Sequence, residues 1–180
     1  MSENEKRKPC AFIQFLLDLS PERDSGVLAD LRRRFSEATE TRAWPHIGRF
    51  CRLNVDEERV VCQTIAAGYA TNPENDATPW SNFGTAAKKL AEAGRDGDKA
   101  SSFDATFRRL LACRTAEDVC KRLKSVVLAM KSKDVAVPWE SLYWDLRRWG
   151  DDVKTRWAAQ YWNVPSEVAD IEGEDEGGDE

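Results

Sequence analysis

The sequence predicts an all-α protein, a helical bundle of roughly eight or nine helices. Three observations lead there. Apolar residues recur every three or four positions through most of the chain. No alternating apolar/polar run of useful length and no internal repeat interrupts that rhythm. Proline, glycine and short capping side chains fall where helices of ordinary length would start and stop.

A first helix is expected from Ala11 to Leu19, stopped by Ser20-Pro21. A second follows Ser25-Gly26, with Val27, Leu31 and Phe35 on one face. Pro45 opens a third through Ile47 and Phe50, since its fixed φ suits a first helical residue. Asp56-Glu57-Glu58 places acids at the positive end of a fourth, which continues to Tyr69. The fifth runs from Asn82 to Ala93 and ends at Gly94, and residues 95–101 are expected to form a mobile polar loop. Ser102 is placed to cap a sixth helix with Phe103, Phe107, Leu110 and Leu111 as its apolar face. Thr115-Ala116-Glu117-Asp118 is a capping-box variant with Asp in place of Glu, opening a seventh with the stripe Val119, Leu123, Val126, Val127 and Met130. Pro138 reads as the first residue of an eighth, striped by Trp139, Leu142, Tyr143, Leu146 and Trp149 and ended by Gly150. Asp151 or Asp152 caps the last, through Trp157, Tyr161 and Trp162.

Grouped, these elements give a charged N-terminal segment (1–10), a helical subdomain (11–70), a linker loop (71–81), a four- or five-helix bundle (82–162) and a tail (163–180). The tail holds eight of the 32 acidic residues and no Lys or Arg, so the net charge of −5 conceals a body of +3 over residues 1–162. Having few apolar groups to bury, the tail is expected to be disordered and solubilising.

Composition narrows the function classes. A compact chain of 180 residues buries about 70% of its unfolded surface and needs no staple to fold. No apolar run approaches the ~20 residues that span a bilayer, and the polar N-terminus is no signal peptide, so a cytoplasmic protein without membrane contact is expected. Five cysteines (Cys10, Cys51, Cys62, Cys113, Cys120) form no CxxC pair and lie among apolar neighbours, which predicts buried thiols rather than disulfides or a zinc site. His46 is the single histidine, too little for a zinc site, and a lone histidine is usually structural. No P-loop and no dinucleotide fingerprint occurs. No catalytic residue, metal or cofactor is therefore assigned.

The basic residues carry more information. A helical wheel turns Arg33 away from the apolar face of the second helix, with Arg32 and Arg34 beside the stripe. Arg109 points outward on the sixth helix and Arg108 sits at its margin. Lys121, Lys124 and Lys131 share the outer face of the seventh, flanked by Arg122, and Arg148 is outward on the eighth with Arg147 lateral. Exposed bases usually serve as solvated surface. Doublets with few interleaved acids also suit a polyanion, because phosphates need charge and reach rather than base-edge geometry. Trp144 falls opposite Leu142 and Leu146, beside Arg148, where an indole would meet a protein partner, a base or a covering helix. Trp139, Trp149 and Trp157 fall on apolar stripes and read as core.

The order of residues also resembles a known family. Gly26-x-x-Ala29-x-Leu31-Arg32-Arg33 is followed by Pro45-x-x-x-Arg49, Asn82-Phe83-Gly84, Phe107-Arg108-Arg109-Leu110-Leu111 and Leu123-x-x-x-Val127-Leu128. Then come Val137-Pro138-Trp139-x-x-Leu142-x-x-Asp145-Leu146-x-x-Trp149 and Val153-x-x-x-Trp157-Ala158-x-x-Tyr161-Trp162. Over Ala11 to Trp162 this resembles the CasB family, the small subunit of the type I-E CRISPR surveillance complex, Cascade. The resemblance implies a non-enzymatic helical subunit, usually present as two copies head to tail, packed against the backbone and large subunits of a complex that carries a guide RNA. It implies contact with the target DNA strand and the displaced non-target strand of the R-loop. Residue by residue it points to Arg32, Arg33, Arg49, Lys121, Arg122, Lys154 and Arg156. The wheel adds Lys124, Arg108, Arg109, Arg147 and Arg148 as nucleic-acid contacts. The competing reading is a structural adaptor that glues subunits together and whose arginines meet acidic protein partners. A small hydrolase using His46 or a cysteine ranks last.

Overall fold

The computed structural model describes residues 9–35, 41–94 and 103–164. Among them are nine α-helices: α1 (Ala11–Leu17), α2 (Ser25–Arg32), α3 (Trp44–Ile47), α4 (Asp56–Thr71), α5 (Phe83–Ala93), α6 (Phe103–Leu111), α7 (Ala116–Ser132), α8 (Trp139–Arg147) and α9 (Asp151–Trp162). A 3-10 turn, Arg33–Phe35, extends α2. The only β-type pairing among the described residues is an isolated parallel bridge between Asn75 and Val137. The fold is all-α, as the periodicity predicts.

Helix α4 is the axis. Three acids in its first turn face the positive end of the helix dipole. From Val61 to Thr71 every residue is buried, Gln63 and Thr64 included, because neighbours enclose it on all sides. It packs against α1, α2, the 3-10 turn, α3, α7 and α8. At Gly68 a Cβ would stand 2.6 Å from the Trp139 ring, so the missing side chain is what admits that indole. Trp139 in turn meets Tyr69 edge to face at 6.2 Å.

A second layer forms where α5 and α9 cross. Asn82 caps α5: its Oδ1 accepts from the N–H of Gly84 at 2.8 Å and of Thr85 at 3.3 Å, and its Nδ2 donates to the Arg156 carbonyl at 3.2 Å. A Cβ on Gly84 would lie 2.1 Å from the Trp157 carbonyl oxygen, so here two helix backbones touch. Phe83 packs on Trp157 at 4.7 Å, and Phe107 stacks on Tyr161 at 4.0 Å. Asp145, buried at 3% exposure, accepts from Trp157 Nε1 at 2.6 Å and from Arg156 Nη2 at 2.9 Å. One carboxylate thereby joins α8 to α9.

The structure corrects several details. The first helix ends at Leu17 rather than Leu19, since Asp18 takes the C-cap. Pro138 is the N-cap of α8, not its first residue, and α8 ends at Arg147 before reaching Trp149. Gly150 caps α9, so Asp151 and Asp152 act in its first turn by charge rather than as caps. The Thr115–Asp118 motif closes differently from a full capping box. Asp118 N–H donates to Thr115 Oγ1, and that hydroxyl donates to the Asp118 carboxylate, whose shorter side chain stops at the hydroxyl. Cys62, Cys113 and Cys120 are buried, but Cys10 and Cys51 are only half-buried. Trp149 is likewise half-buried, its Nε1 donating to the Cys113 carbonyl at 3.1 Å. The expected loop at 95–101, the Ser102 cap, residues 1–8 and tail residues 165–180 lie outside the described residues. No described helix is long and apolar enough to cross a membrane.

Candidate nucleic-acid interface

The first basic cluster forms where α2 ends against α4 and α7. Arg32 Nε donates to the Ala70 carbonyl at 2.7 Å, anchoring the end of α2 to the last turns of α4. The chain then tightens into the 3-10 turn, advancing about 120° per residue instead of 100°. Arg33, which the wheel turns outward, is half-buried, and its Nε is buried without a hydrogen-bond partner among the described residues. From α7, Lys124 Nζ donates to the Phe35 carbonyl at 2.6 Å, so the lysine face of α7 adjoins the arginine turn. Lys121, Arg122, Lys124 and Lys131 are exposed while Val119, Leu123, Val126, Val127 and Met130 are buried, as the stripe predicts. Leu128 stands among these cations at 45% exposure. Lys121 pairs with Glu117 at 2.9 Å, an i,i+4 contact of little energy. Arg122 has no ion pair among the described residues.

A second cluster centres on Glu58. Arg52 Nη2 and Arg147 Nη2 reach Glu58 Oε1 at 2.6 and 3.2 Å, while Arg52 Nε and backbone N–H both donate to Oε2. Hydrogen bonds from the Arg52 side chain and backbone, helped by the Arg147 charge, hold the Glu58 carboxyl at about 2. Beside it lies a cleft of about 440 Å³ lined by Arg52, Glu58, Arg114, Glu117, Arg147 and Trp149. Arg52 and Arg114 escape a doublet search because each is an isolated base in the sequence; only folding brings them to this cleft.

The remaining candidates, Arg109 apart, rest on rings or on carboxylates. Arg148 lies over Trp144 at 5.2 Å, whose Nε1 donates to Glu140 Oε1 at 2.7 Å. Trp144 is 36% exposed, on the outside as the wheel places it. Arg49 lies over Phe15 and Phe50 at 5.0 and 4.7 Å, and Arg108 over Trp162 at 5.0 Å. Lys154 reaches Asp151 at 3.4 Å and the Trp149 ring at 5.8 Å, and Arg156 is held by Asp145. Arg109 is exposed with no ion pair among the described residues. Guanidinium groups stacked on aromatic faces keep their outer N–H groups available to an anion, whereas those on a carboxylate must exchange partners.

His46 Nε2 pairs with Asp30 Oδ2 at 3.2 Å, which gives the ring a structural partner between α2 and α3. Among the described residues no group of three or more His, Cys, Asp or Glu could hold a metal ion.

The sequence model of the family described as CRISPR-associated protein Cse2 matches residues 27–162, from the first turn of α2 to the end of α9. No individual curated protein and no solved structure matches the chain.

Proposed function

The chain belongs to the Cse2 family, the CasB-type small subunit of the type I-E Cascade complex, and from that premise we propose that it is a non-catalytic clamp on the opened DNA. Its basic helix faces hold phosphates of the displaced strand and of the target strand paired with guide RNA. Exchange of a DNA duplex for an RNA–DNA hybrid is nearly balanced, so a few phosphate contacts suffice to tip it. The observation that carries this reading is the contact of Lys124 with the Phe35 carbonyl, which brings the exposed basic face of α7 beside the end of α2, where Arg32 is exposed. Its partners are the DNA, the guide-RNA complex, the backbone and large subunits, and a second copy of itself, in the cytoplasm.

Arg122 provides the test, because its exposure frees it from any role in packing. Arg122→Ala should weaken DNA binding by the assembled complex modestly and lower the salt slope, d log K/d log[salt], by about one unit. The loss should be equal for unrelated target sequences, since the guide supplies specificity. An unchanged slope would remove Arg122 from the strand path.

One observation favours the adaptor reading: Arg147 and Arg156 are already held by Glu58 and Asp145. On that reading the bases join protein to protein, and variants at Arg122 change assembly but not the salt dependence of DNA binding.

A further inference from the structure

The most exposed large apolar side chain among those described is Trp80, at 94% exposure. Its backbone is left-handed, with φ 68°, a region that bulky side chains rarely adopt. The loop around it is far from slack. Asp76 Oδ1 accepts from the Thr78 N–H at 3.0 Å, and Oδ2 accepts from Ser81 Oγ at 2.9 Å and Lys89 Nζ at 3.1 Å. Ser81 N–H donates to the Thr78 carbonyl at 3.1 Å. Below, Asp76 N–H donates to the Val137 carbonyl and Val137 N–H to the Glu74 carbonyl, both at 3.0 Å, fastening the loop to the entry of α8. Beyond Trp80, Asn82 is locked in the α5 cap. These anchors fix a loop in which Pro73, Glu74, Ala77, Thr78 and Pro79 are exposed beside the indole, the one large apolar group among them. A fold that holds a strained backbone to project an unsupported indole has preformed a plug.

The charge around it selects the partner class. Residues 72–82 contain Glu74 and Asp76 and no Lys or Arg, and Lys89, which reaches the loop, is occupied by Asp76. Residues 72–82 thus offer a phosphate backbone no cation of their own. We infer that Trp80 is a docking plug that inserts into an apolar pocket on another protein subunit of Cascade, with Glu74 facing a basic rim. This rests on family membership and not on the proposed DNA contacts.

The test compares full-length Trp80→Ala and Trp80→Phe with the parent. Each is titrated onto a guide-RNA complex assembled from the other subunits without this one, at ~150 mM salt and with no target DNA. Trp80→Ala should weaken association about ten-fold or more, as for an aromatic anchor at an interface centre, and Trp80→Phe should recover part of it. Melting temperature should stay within ~2 °C of the parent, and binding of the isolated chain to a single-stranded oligonucleotide should not change. Association equal to the parent's would overturn the inference. So would loss of oligonucleotide binding, which would make Trp80 a base-stacking residue, or a marked fall in melting temperature, which would make it a packing residue. Failure of the DNA reading would appear separately, as Arg122→Ala assembling and binding DNA like the parent.

Discussion

At Gly84 there is no room for a methyl group, because the carbonyl it would meet belongs to the backbone of α9. Backbone cannot rotate aside as a side chain can, so Gly84→Ala should destabilise the fold by about 2 kcal/mol or more despite alanine's better helix propensity. Chemical denaturation would measure it, and an unchanged midpoint would mean that α5 and α9 slide apart freely. Arg156 and Arg122 separate a structural charge from a proposed contact charge in the same way. Arg156→Ala leaves the buried Asp145 carboxylate with Trp157 Nε1 as its remaining side-chain donor among the described residues, and should cost roughly 1–2 kcal/mol. Arg122→Ala, on an exposed helix face, should leave stability within about 0.5 kcal/mol. If both variants melt alike, the Asp145 junction is not holding α8 to α9.

At the scale of the element, acid should loosen the molecule at two carboxylates. Glu58 joins Arg52 to Arg147 of α8 and is held at about 2, below its ordinary 4.5. Burial alone would raise the Asp76 carboxyl, but hydrogen bonds from Thr78, Ser81 and Lys89 outweigh it and hold that group too at about 2. A carboxyl depressed in the folded state contributes stability above its unfolded value and loses it as pH falls through the folded one. Stability should therefore decline between about pH 4.5 and pH 2, and Glu58→Gln should flatten part of that decline in urea titrations. Equal acid sensitivity in the variant would contradict it. The helices of these junctions were legible in the sequence because a 3.6-residue stripe is a local property: the buried faces of α7 and α8 follow from spacing alone. The 3-10 turn was not: no local signal marks it, and the contact beside it, Arg32 with the Ala70 carbonyl, joins residues 38 apart. Nor was the Glu58 cluster, whose Arg147 lies 89 residues off. Doublets flag bases that are neighbours in sequence, and folding redistributes them: Arg33 is half-buried, while Arg52 and Arg114 join the cleft beside Arg147.

For the whole molecule, the proposed role is that of an electrostatic brace on opened DNA, built on a helical frame, with the proposed docking of Trp80 as a separate task. The exposed bases on α7 stand clear of the core, so replacing Lys121, Arg122 and Lys124 together by alanine should preserve helicity and assembly. The most direct measurement is the lifetime of the opened target duplex on the assembled complex carrying that triple variant, at ~150 mM salt, where charges beyond a Debye length of about 8 Å are screened and contacts dominate. The account predicts a shortened lifetime, alike for unrelated guides and targets, with recognition of the site beside the target unchanged. A triple variant that assembles and holds the duplex open as long as the parent would contradict it and leave the adaptor role in its place.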